Sequence, residues 1–407
     1  MSKSLLRKCL VSLSAGLAYV FAVKALRLWG KLPKARPQSN APIRSVLIAF
    51  PYHSVGDVIL CLKLVERVNN IWPDAAIDFA VGQNMVKVVT SCPLIRRTIA
   101  VPRSRLQAGL AQDIGDAWTG LAALLKVSST DYDLAIAPRW EGRDSYQAAS
   151  LAYASGAAIR CGYDSVQSGG YGLERHFLTH IARGGAGEHE SLRFMRLLER
   201  CGLDPIGVID DSEICHPIAP LKLIAERFSG KIVRPQERYV VIAPGATSDV
   251  RIWPSERFAT VARWLEQTYR LRVVVSGAPG EKALCESIAQ QVSPSAMSLA
   301  GVADTLQLVD VMNHAVVVIC NDSGPAHIAG GLGAFTVVIN PFPADSTLDH
   351  YNAPSRFRPC GPHVHLVQPQ TAKPPCGQRC LMPYGHCILQ VSVEDVIHEI
   401  VKGGIGV

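Results

Sequence analysis

Short uninterrupted apolar runs alternate with longer amphipathic stretches from residue 45 onward. Apolar runs of about 4–8 residues are typical of strands that are buried on both faces of a parallel sheet. After the first run, Val58, Leu62, Val65 and Val68 recur at helical spacing, which predicts a strand, helix, strand unit. The first group of predicted strands covers residues 45–50, 77–81, 98–102 and 134–138.

The alternation starts again after the proline-rich segment 204–237, which has no clear period. The chain is therefore predicted to be an α/β protein with two doubly wound, Rossmann-like domains in tandem, facing a central cleft. We place an N-terminal domain at residues 41–220 and a C-terminal domain at residues 221–407. The second group of predicted strands covers residues 239–245, 271–277, 315–321 and 335–340.

The first 40 residues are predicted to form a membrane-associated helix and a linker. Their uncharged run, residues 9–23, is shorter than the roughly 20 residues of a spanning helix. Lys24 and Arg27 follow where a signal peptide would have its cleavage site, and Trp29 would suit the membrane interface. A helix over residues 5–29 that lies in or dips through the membrane is expected, and a helix packed on the protein body is the alternative.

Composition and charge indicate a globular chain rather than a disordered one, with 48% hydrophobic and 18% charged residues among 407. The net charge is +7, and residues 1–44 contain Lys and Arg but no Asp or Glu. No later stripe of basic and aromatic residues suggests nucleic acid, so an anionic membrane surface is the expected partner of this leader. The twelve scattered cysteines fit a reducing compartment better than a disulfide framework.

Ligands of doubly wound sheets bind in the loops after the strands, and the first such loop is "FPYHSVGDVIL". The chain turns through Gly56 and enters a helix with Asp57 near its first position. Asp57 has two interpretations, a helix cap or a general base at the cleft. His53 is a second candidate base or a substrate contact, or an ordinary packed loop residue.

Two loops of the C-terminal half carry groups that suit a nucleotide. "APGATSDVRIWPSERF" offers Gly245, the hydroxyls of Thr247 and Ser248, and the cation Arg251, a set that fits a diphosphate although it lacks the Walker spacing. In "SGAPGEKALCESIA", Glu281 can accept hydrogen bonds from ribose hydroxyls or simply favour the dipole of the following helix.

The fourth loop is "NDSGPAHIAGGLG", after the predicted strand at residues 315–321. Asp322, Ser323 and Gly324 form the predicted turn, and His327 lies on the helix that follows. A helix N-terminus with Ser and His on one side suits a phosphate, and glycines permit close approach. A tight connection with a packed histidine is the alternative.

In this order, the four motifs resemble glycosyltransferase family 9, the lipopolysaccharide heptosyltransferases and their relatives, over residues 45 to about 400. The resemblance implies the two-Rossmann GT-B architecture and an inverting transferase. It implies that Asp57 is the catalytic base and that Glu281 binds ribose. It also implies that the nucleotide-sugar donor is held by Gly245, Thr247, Ser248, Arg251, Asp322, Ser323, Gly324 and His327. Arg251 stands where the family usually has Lys, and Ser323 where Thr is common.

No cofactor is implied beyond the donor as co-substrate, because helix N-termini, Arg251 and His327 can offset the charge of a leaving diphosphate. The acceptor is expected to be a lipid-linked saccharide, with Arg139 and Arg143 as candidate phosphate contacts beside His53, or as a solvated charged loop. Near the C-terminus, Cys376, Cys380, His386 and Cys387 could hold zinc. Their spacing is not a paired CxxC arrangement, and no metal is expected.

The sequence therefore predicts transfer of heptose from ADP-heptose to a lipopolysaccharide-core or other lipid-linked acceptor at the cytoplasmic face of a bacterial inner membrane. One alternative is the same fold with another nucleotide sugar for a different envelope glycan. The other is a non-catalytic, membrane-anchored module that binds a nucleotide sugar. An NAD-dependent enzyme is disfavoured because no GxGxxG follows the first strand.

Overall fold

The computed structural model describes residues 42–102, 122–139, 145–164, 166, 172–185, 187–230, 235–345, 353–377 and 380–405. The predicted helix at 5–29 and the candidate Arg143 lie outside these residues. The chain forms two compact units. Of the described residues, those up to 53, those within 63–186 and those within 191–209 form the first unit, and those within 54–62, 187–190 and 210–407 form the second.

The first unit contains a six-stranded parallel sheet with the order β3-β2-β1-β4-β5-β6. Its predicted apolar runs are buried, since every residue of the fourth strand and all but the first residue of the first strand are shielded from solvent. The strands are β1 Ser45–Phe50, β2 Ala76–Gly82, β3 Ile95–Val101, β4 Leu134–Ala137, β5 Ile159–Tyr163 and β6 His180–Ala182.

The helix after β1 buries the stripe that its sequence predicts, because Val58, Leu62, Val65 and Val68 are fully shielded. Its first residues belong to the second unit and the remainder to the first. The helices up to residue 200 are α1 Val55–Ile71, α2 Val86–Thr90, α3 Ser145–Ala154 and α4 Glu190–Arg200, with a helical segment at 122–128 and 3-10 turns at Gln83–Met85 and Leu173–His176.

The second unit contains another six-stranded parallel sheet, with the order β12-β11-β10-β7-β8-β9. Its strands are β7 Tyr239–Ala243, β8 Arg272–Val275, β9 Met297–Ser298, β10 Val317–Asn321, β11 Thr336–Ile339 and β12 Val364–Val367. Its helices are α5 Ala219–Phe228, α6 Ser255–Tyr269, α7 Lys282–Val292, α8 Thr305–Asn313, α9 Gly324–Leu332, α10 Pro354–Phe357 and α11 Val393–Lys402. Short 3-10 turns lie at Asp211–Cys215, Asp249–Arg251, Pro279–Glu281 and Cys387–Gln390.

Both sheets have the Rossmann strand order, in which the first strand of each sheet lies between the second and the fourth. The prediction of two parallel-sheet α/β units is therefore confirmed. The point where the strand order reverses lies between β1 and β4 in one sheet and between β7 and β10 in the other. Ligands of such sheets bind beside this point, at the carboxyl ends of the strands.

Apolar side chains of the strands and helices form a core around each sheet. In the second unit this core includes Trp253, which is fully shielded and donates from Nε1 to the carbonyl of Val391 at 2.9 Å. Among the helices of the described residues, none combines the length and apolarity that a membrane span requires.

Candidate functional site

Three candidate loops of the second unit begin at neighbouring strands. β10, β7 and β8 lie side by side and run parallel, so their carboxyl ends share one edge of the sheet. Gly245 follows β7, Asp322 follows β10, and Glu281 ends the turn after β8. The structure therefore brings these sequence-predicted residues to the same edge, and two of the loops flank the point where the strand order reverses.

Asn321, the last residue of β10, connects the loop after β10 to the loop after β7 by hydrogen bonds. Its Nδ2 donates to the carbonyl of Pro244 at 2.6 Å, and its Oδ1 accepts from the backbone N–H of Trp253 at 3.2 Å. The side chain is fully buried. Sequence reasoning missed this residue, although a polar residue that ends an otherwise apolar strand was a usable signal.

Arg251 and Asp322 form a charged pair at this edge. Arg251 Nη1 lies 3.6 Å from Asp322 Oδ2 and donates to the Asp322 carbonyl at 3.2 Å. Burial raises the pKa of the Asp322 carboxyl above its ordinary value, although the guanidinium acts in the opposite direction. The arrangement holds one cation of the turn after β7 against the loop after β10, which suits an anionic ligand.

The N-terminus of α9 lies directly after this pair. Ser323 precedes the helix in extended conformation, and Pro325 lies in the first turn, where its missing N–H costs no hydrogen bond. The first N–H groups of a helix have no partner within the helix and attract anions. Gly324 is required by packing, because a Cβ there would lie 2.9 Å from the Cβ of Val55.

His327, one turn into α9, is a buried neutral base. Its Nδ1 is shielded and receives no hydrogen bond from any residue that the structure describes. Burial lowers the pKa of His327 to about 3, with smaller contributions from His189 and Arg251. His189, which sequence reasoning gave no signal to find, is buried in the same unit, and its Nε2 lies 2.8 Å from the Arg358 carbonyl.

Asp57 lies in the first turn of α1, beside a residue that contacts His327. A Cβ on Gly56 would lie 2.6 Å from His327 Cδ2, so the imidazole rests on the bare backbone of Gly56. Asp57 itself is half-buried, and its charge adds to the effect of burial in raising the pKa of Cys61. Two distant motifs, "GD" and "NDSGPAH", are thus joined through one backbone contact.

Glu281 lies between two of the loops. Its Oε2 accepts from the backbone N–H of Ala278 at 2.7 Å, a capping interaction within its own turn. A Cβ on Gly245 would collide with the same carboxylate, so glycine is required there. Thr247 is exposed and Ser248 is half-buried on the adjoining loop.

The acceptor candidates His53 and Arg139 occupy the equivalent position in the first unit. β1 and β4 are paired, and these residues follow their carboxyl ends. The Arg139 guanidinium lies 3.5 Å from the centre of the Tyr52 ring, and His53 Nδ1 lies 3.0 Å from Asn84 Oδ1. The structure therefore brings both candidates to the neighbouring loops at the strand-order reversal.

The C-terminal cysteines converge with a histidine. The side-chain ligand atoms of Cys376, His386 and Cys387 all lie within 4.8 Å of one another. Cys380 interacts with Cys376 at the same place. The sequence named these residues as a possible zinc set, but no metal was expected because their spacing is not a paired CxxC arrangement.

The profile of glycosyltransferase family 9 (heptosyltransferase) matches residues 124–340, which is more than half of the chain. The chain belongs to glycosyltransferase family 9. This family 9 protein is 26% identical to lipopolysaccharide heptosyltransferase 3 of Escherichia coli K12 over 288 residues, 69% of this chain and 77% of the relative. It is 22% identical to the lipopolysaccharide core heptosyltransferase OpsX of Haemophilus influenzae over 282 residues, 68% of this chain and 73% of that protein.

Solved structures show the same fold. The E. coli heptosyltransferase WaaC with ADP superposes with a TM-score of 0.68 at 17% identity, covering 88% of this chain and 100% of that one. The family 9 glycosyltransferase of Veillonella parvula gives 0.67 at 20% identity, covering 90% and 99%. The predictions of the family and of an enzyme are confirmed, and the alternative of a non-catalytic binding module is set aside.

Proposed function

We propose that this family 9 enzyme transfers heptose from ADP-heptose to a lipopolysaccharide-core or other lipid-linked acceptor, with inversion at the anomeric carbon. The observation that carries the proposal is the edge of the second sheet, where Arg251, Asp322 and His327 surround the start of α9. The named heptosyltransferase relatives and the ADP bound by WaaC support the choice of donor.

The donor diphosphate lies at the N-terminus of α9, whose free N–H groups and positive dipole end offset its charge. Arg251 adds a fixed cation, and the hydroxyls of Thr247, Ser248 and Ser323 add donors. His327 Nδ1 hydrogen-bonds to the donor, which gives that buried atom a partner. Glu281 releases its Ala278 contact, or shares it, to bind the ribose hydroxyls.

In the chemical step the acceptor hydroxyl gives its proton to the Asp57 carboxylate as its oxygen attacks the anomeric carbon. The new carbon–oxygen bond forms while the bond from that carbon to the diphosphate oxygen breaks, and ADP leaves on the opposite face. The charge that develops on ADP is met by the α9 amides and Arg251, so the step needs no metal ion. His53 and Arg139 contact the acceptor in the first unit, and Arg143 remains a further candidate.

Because the proposed acceptor is anchored by a lipid, catalysis is proposed to take place at the cytoplasmic face of a bacterial inner membrane. Residues 5–29 would bind the enzyme to that membrane. The excess of Lys and Arg over residues 1–44 supports this proposal. The full chain should sediment with anionic phospholipid vesicles and less with neutral ones. Failure to sediment with either vesicle type, or equal sedimentation with both, would overturn the proposal.

The role of Asp57 is tested with Asp57→Asn, which keeps the shape of the side chain and removes its basicity. Because a positioned base accelerates a reaction by about 10²–10⁴-fold, kcat should fall by about that factor while ADP affinity is kept. Asp74→Asn is the matched control, since Asp74 is an exposed aspartate beyond the other end of α1. An Asp57→Asn enzyme with the turnover of the control would contradict the assignment.

A further inference from the structure

Four side chains near the C-terminus have the chemistry of a structural metal site. Cys376, Cys380 and Cys387 offer sulfur and His386 offers a ring nitrogen, a Cys₃His set that zinc binds in closed tetrahedral sites. Cys376 is half-buried, Cys387 is buried and Cys380 is exposed. All four residues lie in the chain between β12 and α11.

The distances within this cluster are those of a metal coordination shell. His386 Nδ1 lies 3.6 Å from Cys376 Sγ and 3.9 Å from Cys387 Sγ. With zinc–sulfur and zinc–nitrogen bonds of about 2.3 and 2.0 Å, a tetrahedral site separates its sulfur and nitrogen ligands by about 3.5 Å. The two observed separations come close to that value, so these three ligand atoms need only small shifts to close around an ion.

The surrounding backbone favours thiolates at this place. The N–H of Leu381 points to Cys376 Sγ at 3.5 Å, a contact that stabilises charge on sulfur. The structure has free thiols at all three cysteines, so no disulfide competes for them. Cys380 interacts electrostatically with both Cys376 and Cys387 but is not part of the group within 4.8 Å, so its exposed side chain must turn inward to complete the set.

We propose that Cys376, Cys380, His386 and Cys387 bind one zinc ion, with His386 coordinating through Nδ1. The site is structural, because four protein ligands leave no open position for a substrate. This inference does not depend on the proposed donor or acceptor.

The ion would stabilise the turn that carries Arg251. A Cβ on Gly385 would lie 3.0 Å from the carbonyl of Ile252 and 3.4 Å from that of Asp249, so the backbone at Gly385 packs directly on the 3-10 turn Asp249–Arg251. The residues after Cys387 are held on α6, since Arg257 donates to the Leu389 and Val391 carbonyls at 2.8 and 2.6 Å. A bound zinc ion would hold the backbone in place between the Gly385 contact and the Arg257 hydrogen bonds.

The test is the metal content of the untagged full-length chain, measured by mass spectrometry of the elements after exhaustive dialysis. Wild type should retain about one zinc per chain, and Cys376→Ser and Cys380→Ser should retain at least about tenfold less. Cys380 is exposed, so its substitution opens no cavity and separates loss of metal from loss of folding. Cys215→Ser, at another exposed cysteine of the same unit, should keep the metal.

Cobalt gives a second readout that does not depend on activity. Wild type that is refilled with Co²⁺ should show the intense visible absorption of a tetrahedral cobalt–thiolate site, and Cys376→Ser should not. Wild type that takes up neither zinc nor cobalt, or that contains a Cys376–Cys387 disulfide under reducing purification, would overturn the proposal. So would zinc retained equally by Cys376→Ser and Cys215→Ser.

Discussion

His327 and Gly56 each restrict what the other position can hold. The imidazole lies on the bare α-carbon of Gly56, and burial keeps the ring neutral by lowering its pKa to about 3. A neutral ring can both donate and accept a hydrogen bond, whereas a protonated ring can only donate. The packing therefore keeps the ring neutral, so His327 can offer the proposed donor a hydrogen bond but not the positive charge that was expected of it from the sequence.

This buried histidine should make the enzyme sensitive to acid. A histidine whose folded pKa is depressed contributes stability above its unfolded pKa of about 6.5 and loses it as pH falls toward the folded value. Between those two values the unfolded chain binds one more proton at this site, which costs about 1.4 kcal/mol per pH unit. His327→Gln should therefore lose less unfolding free energy than wild type between pH 7 and pH 5.

Urea unfolding at the two pH values measures this difference. His398→Gln, at an exposed histidine of α11, is the control and should follow wild type. Asp322 has a raised pKa and acts in the opposite direction, but it is present in all three proteins. Parallel pH dependence in wild type and His327→Gln would show that His327 is not held neutral by burial.

At the scale of elements, one side chain connects a strand end to two loops. Asn321 closes β10 and bonds to the backbone at Pro244 and Trp253, so the carboxyl edges of β7 and β10 are fixed to each other. Both partners are buried, and water cannot replace the lost bonds. The geometry of the candidate donor site depends on this connection.

Asn321→Ala should remove both hydrogen bonds and leave a buried carbonyl and N–H without partners. Each unsatisfied group costs about 1–3 kcal/mol, so with two such groups the unfolding free energy should fall by about 2–6 kcal/mol. The measurement is chemical denaturation at neutral pH. Asn313→Ala, at an exposed asparagine that ends α8, should change stability far less, and equal losses in the two variants would contradict the connecting role.

The sequence predicted the strands that contain an apolar run long enough to stand out from its neighbours, even where a polar residue lies within the strand or at its end. β1 and β7 were found because both of their faces are buried, which leaves an uninterrupted apolar run. β5 was missed because Arg160 and Gly162 interrupt its apolar run. In the folded protein, the Arg160 guanidinium donates hydrogen bonds to the carbonyls of Phe177 and Ala157. β12 was missed because His365 lies in its middle, paired with Glu399 of α11. Long-range partners of this kind leave no local signal.

At the scale of the whole molecule, two sheets with the same strand order each carry candidate residues at the reversal point. The motifs gave most of these residues, because loops after buried strands are where such sheets bind ligands. The sequence could not give the contact between Gly56 and His327, or the closeness of His189 to the site. Those contacts join segments more than a hundred residues apart, and only the fold determines them.

The most direct test of the account is the mass of the acceptor after incubation with each nucleotide sugar. Full-length enzyme, a heptose-deficient lipopolysaccharide acceptor and ADP-heptose should give an acceptor heavier by one heptosyl unit, with inverted anomeric configuration by NMR. UDP-, GDP- and CMP-sugars should give no product. Transfer from one of those donors, with none from ADP-heptose, would contradict the proposed function while leaving family membership intact.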